Sequence, residues 1–169
     1  DFCVASLLAA GMLIGLIRLL HAFRRLRCWV RKSRWIDTHH TPKGRRIDIR
    51  ISDEITSPCA VGVLRPMILV PPGWSALRRA HREMVLAHEI AHHQRHDPLW
   101  RLLGALACSL HWFNPLVWWL ARRHAIQAEL ACDAAVLASG ARPDRYAHLL
   151  CDLAGARPTP LVSAMAGST

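Results

Sequence analysis

Residues 85–100, VLAHEIAHHQRHDPLW, set a glutamate directly after one histidine and a second histidine three residues later, in the order His88-Glu89-x-x-His92. On a helix, residues four apart are displaced by about 6 Å along the axis and lie nearly one above the other. Two imidazoles so placed can share one ion. Neutral histidine nitrogens bind zinc at about 2.0–2.1 Å, and a glutamate beside the first histidine can take a proton from a water in the site. That is the chemistry of a zinc hydrolase with Glu89 as general base. Catalytic zinc normally has three protein ligands and one open position, so a third ligand is expected downstream.

The segment AIQAELACDAAVLASG supplies it. Glu129 and Asp133 are four apart and share a helical face. Glutamates are scarce in this chain, being only Glu54, Glu83, Glu89 and Glu129, and Glu129 sits among Ala128, Leu130, Ala131 and Ala134. An acid on so apolar a helix needs a partner. The competing reading is a solvated stripe of Gln127 and Glu129. The expectation is that Glu129 is the third ligand and that Asp133 orients a ligating histidine through its second ring nitrogen. His93, His96, His111 and His124 are further candidates to donate to a tetrahedral oxyanion, with most of them structural or exposed. Tyr146, the single tyrosine, is another candidate donor, but its setting PDRYAHLLCDLAG does not distinguish it from a packing residue.

The elements that must carry these residues follow from periodicity and punctuation. From Ser75 to His96 there is no proline or glycine, and Leu77, Met84, Val85, Ala87, His88, Ala91 and His92 recur at helical spacings. Asp97-Pro98 reads as a cap and first-turn proline opening the next helix, and Asn114-Pro115 repeats the signal. Three helices joined by tight corners should bear the chemistry. Upstream, RRIDIRIS alternates isoleucine with charge, the pattern of a half-buried strand. AVGVLRPMILVPP offers a hairpin or bent strand pair ending at Pro71-Pro72-Gly73. The strand around residues 61–70 is a candidate for holding an extended substrate by edge pairing.

Residues 3–20 are almost uncharged, with only Arg18 near the end, and about as long as the ~20-residue helix that spans a bilayer. A transmembrane helix is the favoured reading over a buried core helix or a secretory signal, since positive charge follows the apolar run instead of preceding it. Arg24, Arg25, Arg27, Arg31, Lys32 and Arg34 then mark a cytoplasmic flank. They account for part of the net charge of +10, which need not imply nucleic acid beside anionic lipid. The expected organisation is a transmembrane helix over 1–23, a basic juxtamembrane linker over 24–35 and a catalytic domain over 36–169 truncated at its C-terminal end, all part of a longer protein. The six cysteines are scattered, without a CxxC pair, and read as reduced thiols, mostly packing residues. The tryptophan-rich stretch from Pro98 to His124 has two readings, core packing or a hairpin dipping into the cytoplasmic leaflet, because each half of about 14 residues is too short to span.

Taken together, SPCAVGVLRPMILVP, LAHEIAHHQRHDPLW, HWFNPLVWW and AELACDAAVL resemble the cytoplasmic metallopeptidase module of BlaR/MecR-type antirepressors, the membrane sensor-transducers of beta-lactam resistance, over about residues 55–150. The resemblance implies an α+β fold, a mostly helical zincin-like domain with a small sheet behind a transmembrane helix. It implies a gluzincin-like zinc endopeptidase of the inner membrane, its catalytic domain facing the cytoplasm, with Zn2+ held by His88, His92 and Glu129, Glu89 as base and Asp133 as the second acid of the glutamate helix. Asp97 also matches a position of HtpX-like membrane peptidases, although capping the helix that Pro98 begins explains it equally well. The implied partners are a protein substrate such as a transcriptional repressor, the chain itself, membrane lipid, and a sensor domain in the same parent chain. No Ser-x-x-Lys acylation motif is present, so a beta-lactam stimulus is not legible in these residues. The alternatives are a catalytically silent zinc-binding membrane scaffold, which the presence of Glu89 disfavours, and a basic nucleic-acid-binding module, which no motif supports.

Overall fold

A computed structural model of the chain describes residues 2–41 and 44–155. Helix α1 (Phe2–Lys32) carries the apolar run and continues without a break through the basic residues to Lys32. At 1.5 Å per residue it is about 46 Å long, more than the ~30 Å of a bilayer's hydrocarbon. Its apolar half is long enough to cross a membrane, and its side chains there are mostly exposed.

Four strands follow: β1 (Arg34–His40), β2 (Arg46–Ile51), β3 (Cys59–Val61) and β4 (Met67–Val70). They form one mixed sheet in the order β1-β2-β4-β3, with β2 parallel to β4 and the other pairs antiparallel. The expected β2 and the β3–β4 hairpin are thus present, and Gly62 makes the turn at φ +86° where a Cβ would meet the Arg65 carbonyl. β4 is paired on both sides, so it has no edge to offer a substrate; the open edge on that side belongs to β3.

The residues of β4 read as a continuous apolar run because both faces are covered. Ile68 and Val70 join Ile47 and Ile49 of β2 in a core with Trp74 and residues of the helices behind. Leu69, on the opposite face, packs with Trp29 near the end of α1, Ile55 and Val61. Arg50 fastens that end of α1 by donating from Nε and Nη2 to Oγ and the carbonyl of Ser33, both at 2.9 Å.

After a 3-10 turn (Pro72–Ala76) come α2 (Arg79–Gln94), α3 (Asp97–Leu110), α4 (Pro115–Ala138) and α5 (Pro143–Gly155). The corner between α2 and α3 is made by His96, in the left-handed region at φ 61°. Histidine tolerates this better than most non-glycine residues. Asp97 is therefore not the cap but the first residue of α3, and it is buried. Asn114 does cap α4, its side chain accepting from the Leu116 amide at 3.0 Å. Core packing accounts for the inner side of the tryptophan-rich stretch, where Leu106, Trp112 and Val117 are half-buried, but not for Phe113, Leu116, Trp118 and Trp119, which remain exposed. All six cysteines are free, as expected, but Cys3, Cys28 and Cys151 are exposed rather than packed.

Candidate metal centre

Helix α2 presents His88 and His92 on the face that meets α4, and α4 answers with Glu129 one turn before Asp133. The two Nε2 atoms are 3.2 Å apart. Glu129 Oε2 lies 3.4 Å from His88 Nε2, and Oε1 lies 3.6 Å from His92 Nε2. Ligands on a tetrahedral ion with arms of 2.0–2.1 Å are about 3.3–3.4 Å apart, so spacings of 3.2, 3.4 and 3.6 Å suit a small metal ion, each histidine meeting a different oxygen of Glu129.

The outer ring nitrogens explain why three acceptors can converge. His92 Nδ1 is 2.8 Å from Asp97 Oδ2, deep in the protein, and 3.2 Å from the Cys132 sulfur. His88 Nδ1 is 3.1 Å from Asp133 Oδ1 and 3.0 Å from the Tyr146 hydroxyl, which itself donates to Asp133 at 2.7 Å. A carboxylate on each Nδ1 keeps the proton there and leaves both Nε2 lone pairs facing each other and Glu129. Such an arrangement is repulsive without a cation between the acceptors.

The acids around the histidine pair favour positive charge there. Burial works against a charged His92, but its contacts with Cys132, Glu129 and Asp97 and the charge on Glu89 outweigh it and raise the imidazole to about 10. Burial likewise raises Glu129, yet its bonds to His88 and His92, with the charges of His92 and Arg101, hold it well below the usual carboxylate range. Glu89 is 7% exposed; desolvation pushes its carboxyl up, against the pull of His92 and His88. A carboxyl held above its usual range is suited to taking and returning a proton near neutral pH. Glu129 is half-exposed, so the centre opens to solvent on that side, where Arg101 Nη2 donates to Glu129 Oε1 at 2.6 Å.

The structure thus brings together His88, Glu89, His92, Asp97, Glu129 and Asp133. It does not bring in the other histidines as oxyanion donors. His93 is buried, its Nε2 donating to the Met67 carbonyl at 3.0 Å; His124 packs on Trp100; His111 ends α3 at the hairpin corner. Sequence reasoning missed Arg101, Cys132 and the place of Tyr146, which holds Asp133 and His88 rather than facing a substrate. The helical offset of Arg101 from Pro98 and of Cys132 from Glu129 was available as a signal, but only a helix-pairing geometry turns it into contact. A second group of donors, His92 Nδ1, Asp97 and Cys132, also lies close enough for an ion, yet its histidine nitrogen is the one occupied by Asp97.

A histidine pair on one helix, a carboxylate from another and a buried glutamate between the histidines make a donor set of the metallopeptidase type. The chain belongs to the BlaR1 peptidase M56 family, whose profile matches residues 2–169. It is similar to the regulatory protein BlaR1 of Bacillus licheniformis, with 40% identity over 83 residues, a stretch that makes up 49% of this chain and 14% of that protein. The chain therefore matches only a small part of that longer relative.

Proposed function

We propose that this chain is the zinc endopeptidase module of a membrane-anchored signalling regulator, with its catalytic domain over 36–169 on the cytoplasmic side of the inner membrane. The observation that carries the reading is the convergence of His88 Nε2, His92 Nε2 and the Glu129 carboxylate, one oxygen 3.4 Å from His88 and the other 3.6 Å from His92, with each histidine fixed from behind by a carboxylate. Zinc bound there would polarise a water and the scissile carbonyl. Glu89 accepts a proton on its carboxylate as the water attacks, and hands it to the departing amine. Asp97 and Asp133 hold the histidine tautomers through the cycle. Arg101 keeps the Glu129 carboxylate in place and balances its charge. The substrate lies in extended form along the outer edge of β3, which packs beside α2, its backbone groups pairing with that strand. As the resemblance to BlaR/MecR-type antirepressors implies, the substrate is a cytoplasmic repressor, the chain itself, or both, under control of a sensor in the same parent protein.

The test is zinc content and cleavage of a candidate repressor by the membrane-embedded chain. Wild type should hold about one zinc and cut. Glu89→Gln should keep the zinc and lose cleavage, and Glu129→Ala should lose zinc affinity. A folded wild-type chain that binds no zinc would remove the basis of the proposal; zinc binding with equal cleavage by Glu89→Gln would remove Glu89 as base.

A further inference from the structure

We infer that the corner between α3 and α4 is embedded in the bilayer beside α1, its exposed apolar face covered by lipid chains. The inference rests on reading α1 as a membrane span. From Leu102 to Ala121 the chain contains no aspartate, glutamate, lysine or arginine. Yet Phe113, Leu116, Trp118, Trp119 and Leu120 are each 43–64% exposed. A contiguous face of this kind is not left to water in a soluble domain.

Contact with α1 gives the depth. The Trp112 indole N–H donates to the Leu8 carbonyl at 3.3 Å, in the middle of the apolar run. Gly11 and Gly15 of α1 face Trp112 and Ser109; a Cβ on Gly15 would come to 2.9 Å from Ser109 Cα, and one on Gly11 would strike the Trp112 ring. Two glycines four apart are what lets helices approach closely in lipid. α3 runs antiparallel to α1, since Trp112 faces an earlier residue of α1 than Ser109 does. Leu8 is about 24 Å along the helix axis from Arg24, where the basic run of α1 begins. If the apolar half of α1 is in hydrocarbon, the corner is too.

The positions at which charge resumes agree on three helices. Counting back from Ser109, Arg101 lies about 12 Å down α3, and Arg24 lies about 14 Å down α1 from Gly15. Gly104 abuts Ala121, so Arg122 and Arg123 of α4 return at nearly the same level. The one charge within the apolar part of α1, Arg18, is exposed and within snorkelling reach of that level. The donor cluster, which includes Asp97 at the start of α3, then sits level with the basic run, at the headgroup plane.

Nitroxide labels on the full chain in phosphatidylcholine–phosphatidylglycerol vesicles test this, with Cys3, Cys28 and Cys151 replaced by alanine. Leu116→Cys reports the hairpin, Leu7→Cys the span, and Leu64→Cys, on an exposed sheet loop, the water side. The expected result is greater collision with oxygen than with a water-soluble nickel chelate at Leu116 and Leu7, and the reverse at Leu64. Phe113→Cys repeats the measurement if Leu116→Cys does not fold. Nickel-accessible Leu116 with oxygen-accessible Leu7 overturns the inference and leaves the span intact. Nickel access at both fails the span reading and the inference with it, and low access to either reagent at Leu116 means protein, not lipid, covers the hairpin.

Discussion

At the scale of single residues, the centre depends on groups that never touch a substrate. Asp97 is 1% exposed and receives His92 Nδ1, while its other oxygen has no hydrogen-bond partner among the described residues. Asp97→Asn keeps the size and removes the negative charge that fixes the His92 tautomer, so zinc affinity should fall about 10–100-fold, read by competition with a chelating dye. Tyr146→Phe should cost less, about tenfold at most, because Asp133 still reaches His88 directly. Equal affinities for wild type and Asp97→Asn would mean that Asp97 only packs. The ligand candidates were legible because four-residue spacing on a helix is a local rule, and it holds for His88–His92 and Glu129–Asp133 alike. Tyr146 was not, because its contact with His88 crosses 58 positions and depends on how α5 docks. Asp97 was half legible: the Asp-Pro pair announced a helix start, but the left-handed turn at His96 shifts the aspartate from cap to first helical residue, aimed back at His92.

At the scale of elements, α2 is held to the sheet by His93, whose imidazole donates to Met67 of β4. Burial lowers its pKa first, and the charges of Arg45, His92 and His96 add to that against the bond to Met67. The unfolded chain thus binds a proton at a higher pH than the folded one does. Between the ordinary histidine value and the lower folded one, the unfolded state carries more protons, so stability rises with pH there and is lost on acidification. Unfolding followed from pH about 7.5 to about 5.5 should show this fall, and His93→Gln, which keeps a donor to Met67 without titrating, should flatten it. An unchanged slope in His93→Gln would assign the acid sensitivity elsewhere. The alternation in RRIDIRIS and the apolar run of β4 announced their strands, since burial on one or two faces is written in side-chain order. β1 was not announced: RWIDTHH has no buried face to impose a pattern, and its place is fixed by pairing with β2. Nor was β4's central position, which follows from a parallel pairing with β2 that no local signal encodes.

At the scale of the whole molecule, one helix serves two solvents. The basic end of α1 packs through Trp29 on the sheet that backs α2, and its apolar half packs on α3, whose first residue supports His92. The apolar half of α1 and the donor cluster are therefore linked through α3, which meets α1 at Ser109 and carries Asp97 and Arg101 toward the other end. Close approach at Gly15 is the joint on which this depends. Gly15→Leu places a side chain where the Ser109 backbone lies, and neither helix can yield without unseating the other from the sheet or the centre. Overpacking of this kind costs about 1–3 kcal/mol, to be measured as a lowered unfolding midpoint in vesicles. Zinc affinity should weaken with it, because α3 tilts at the end that bears Asp97. Gly73→Ala, at a position where a Cβ meets nothing within 4 Å, serves as the neutral comparison. If Gly15→Leu were as stable as Gly73→Ala, α1 would be an anchor only, and a signal arriving along it would have to reach the centre by another path.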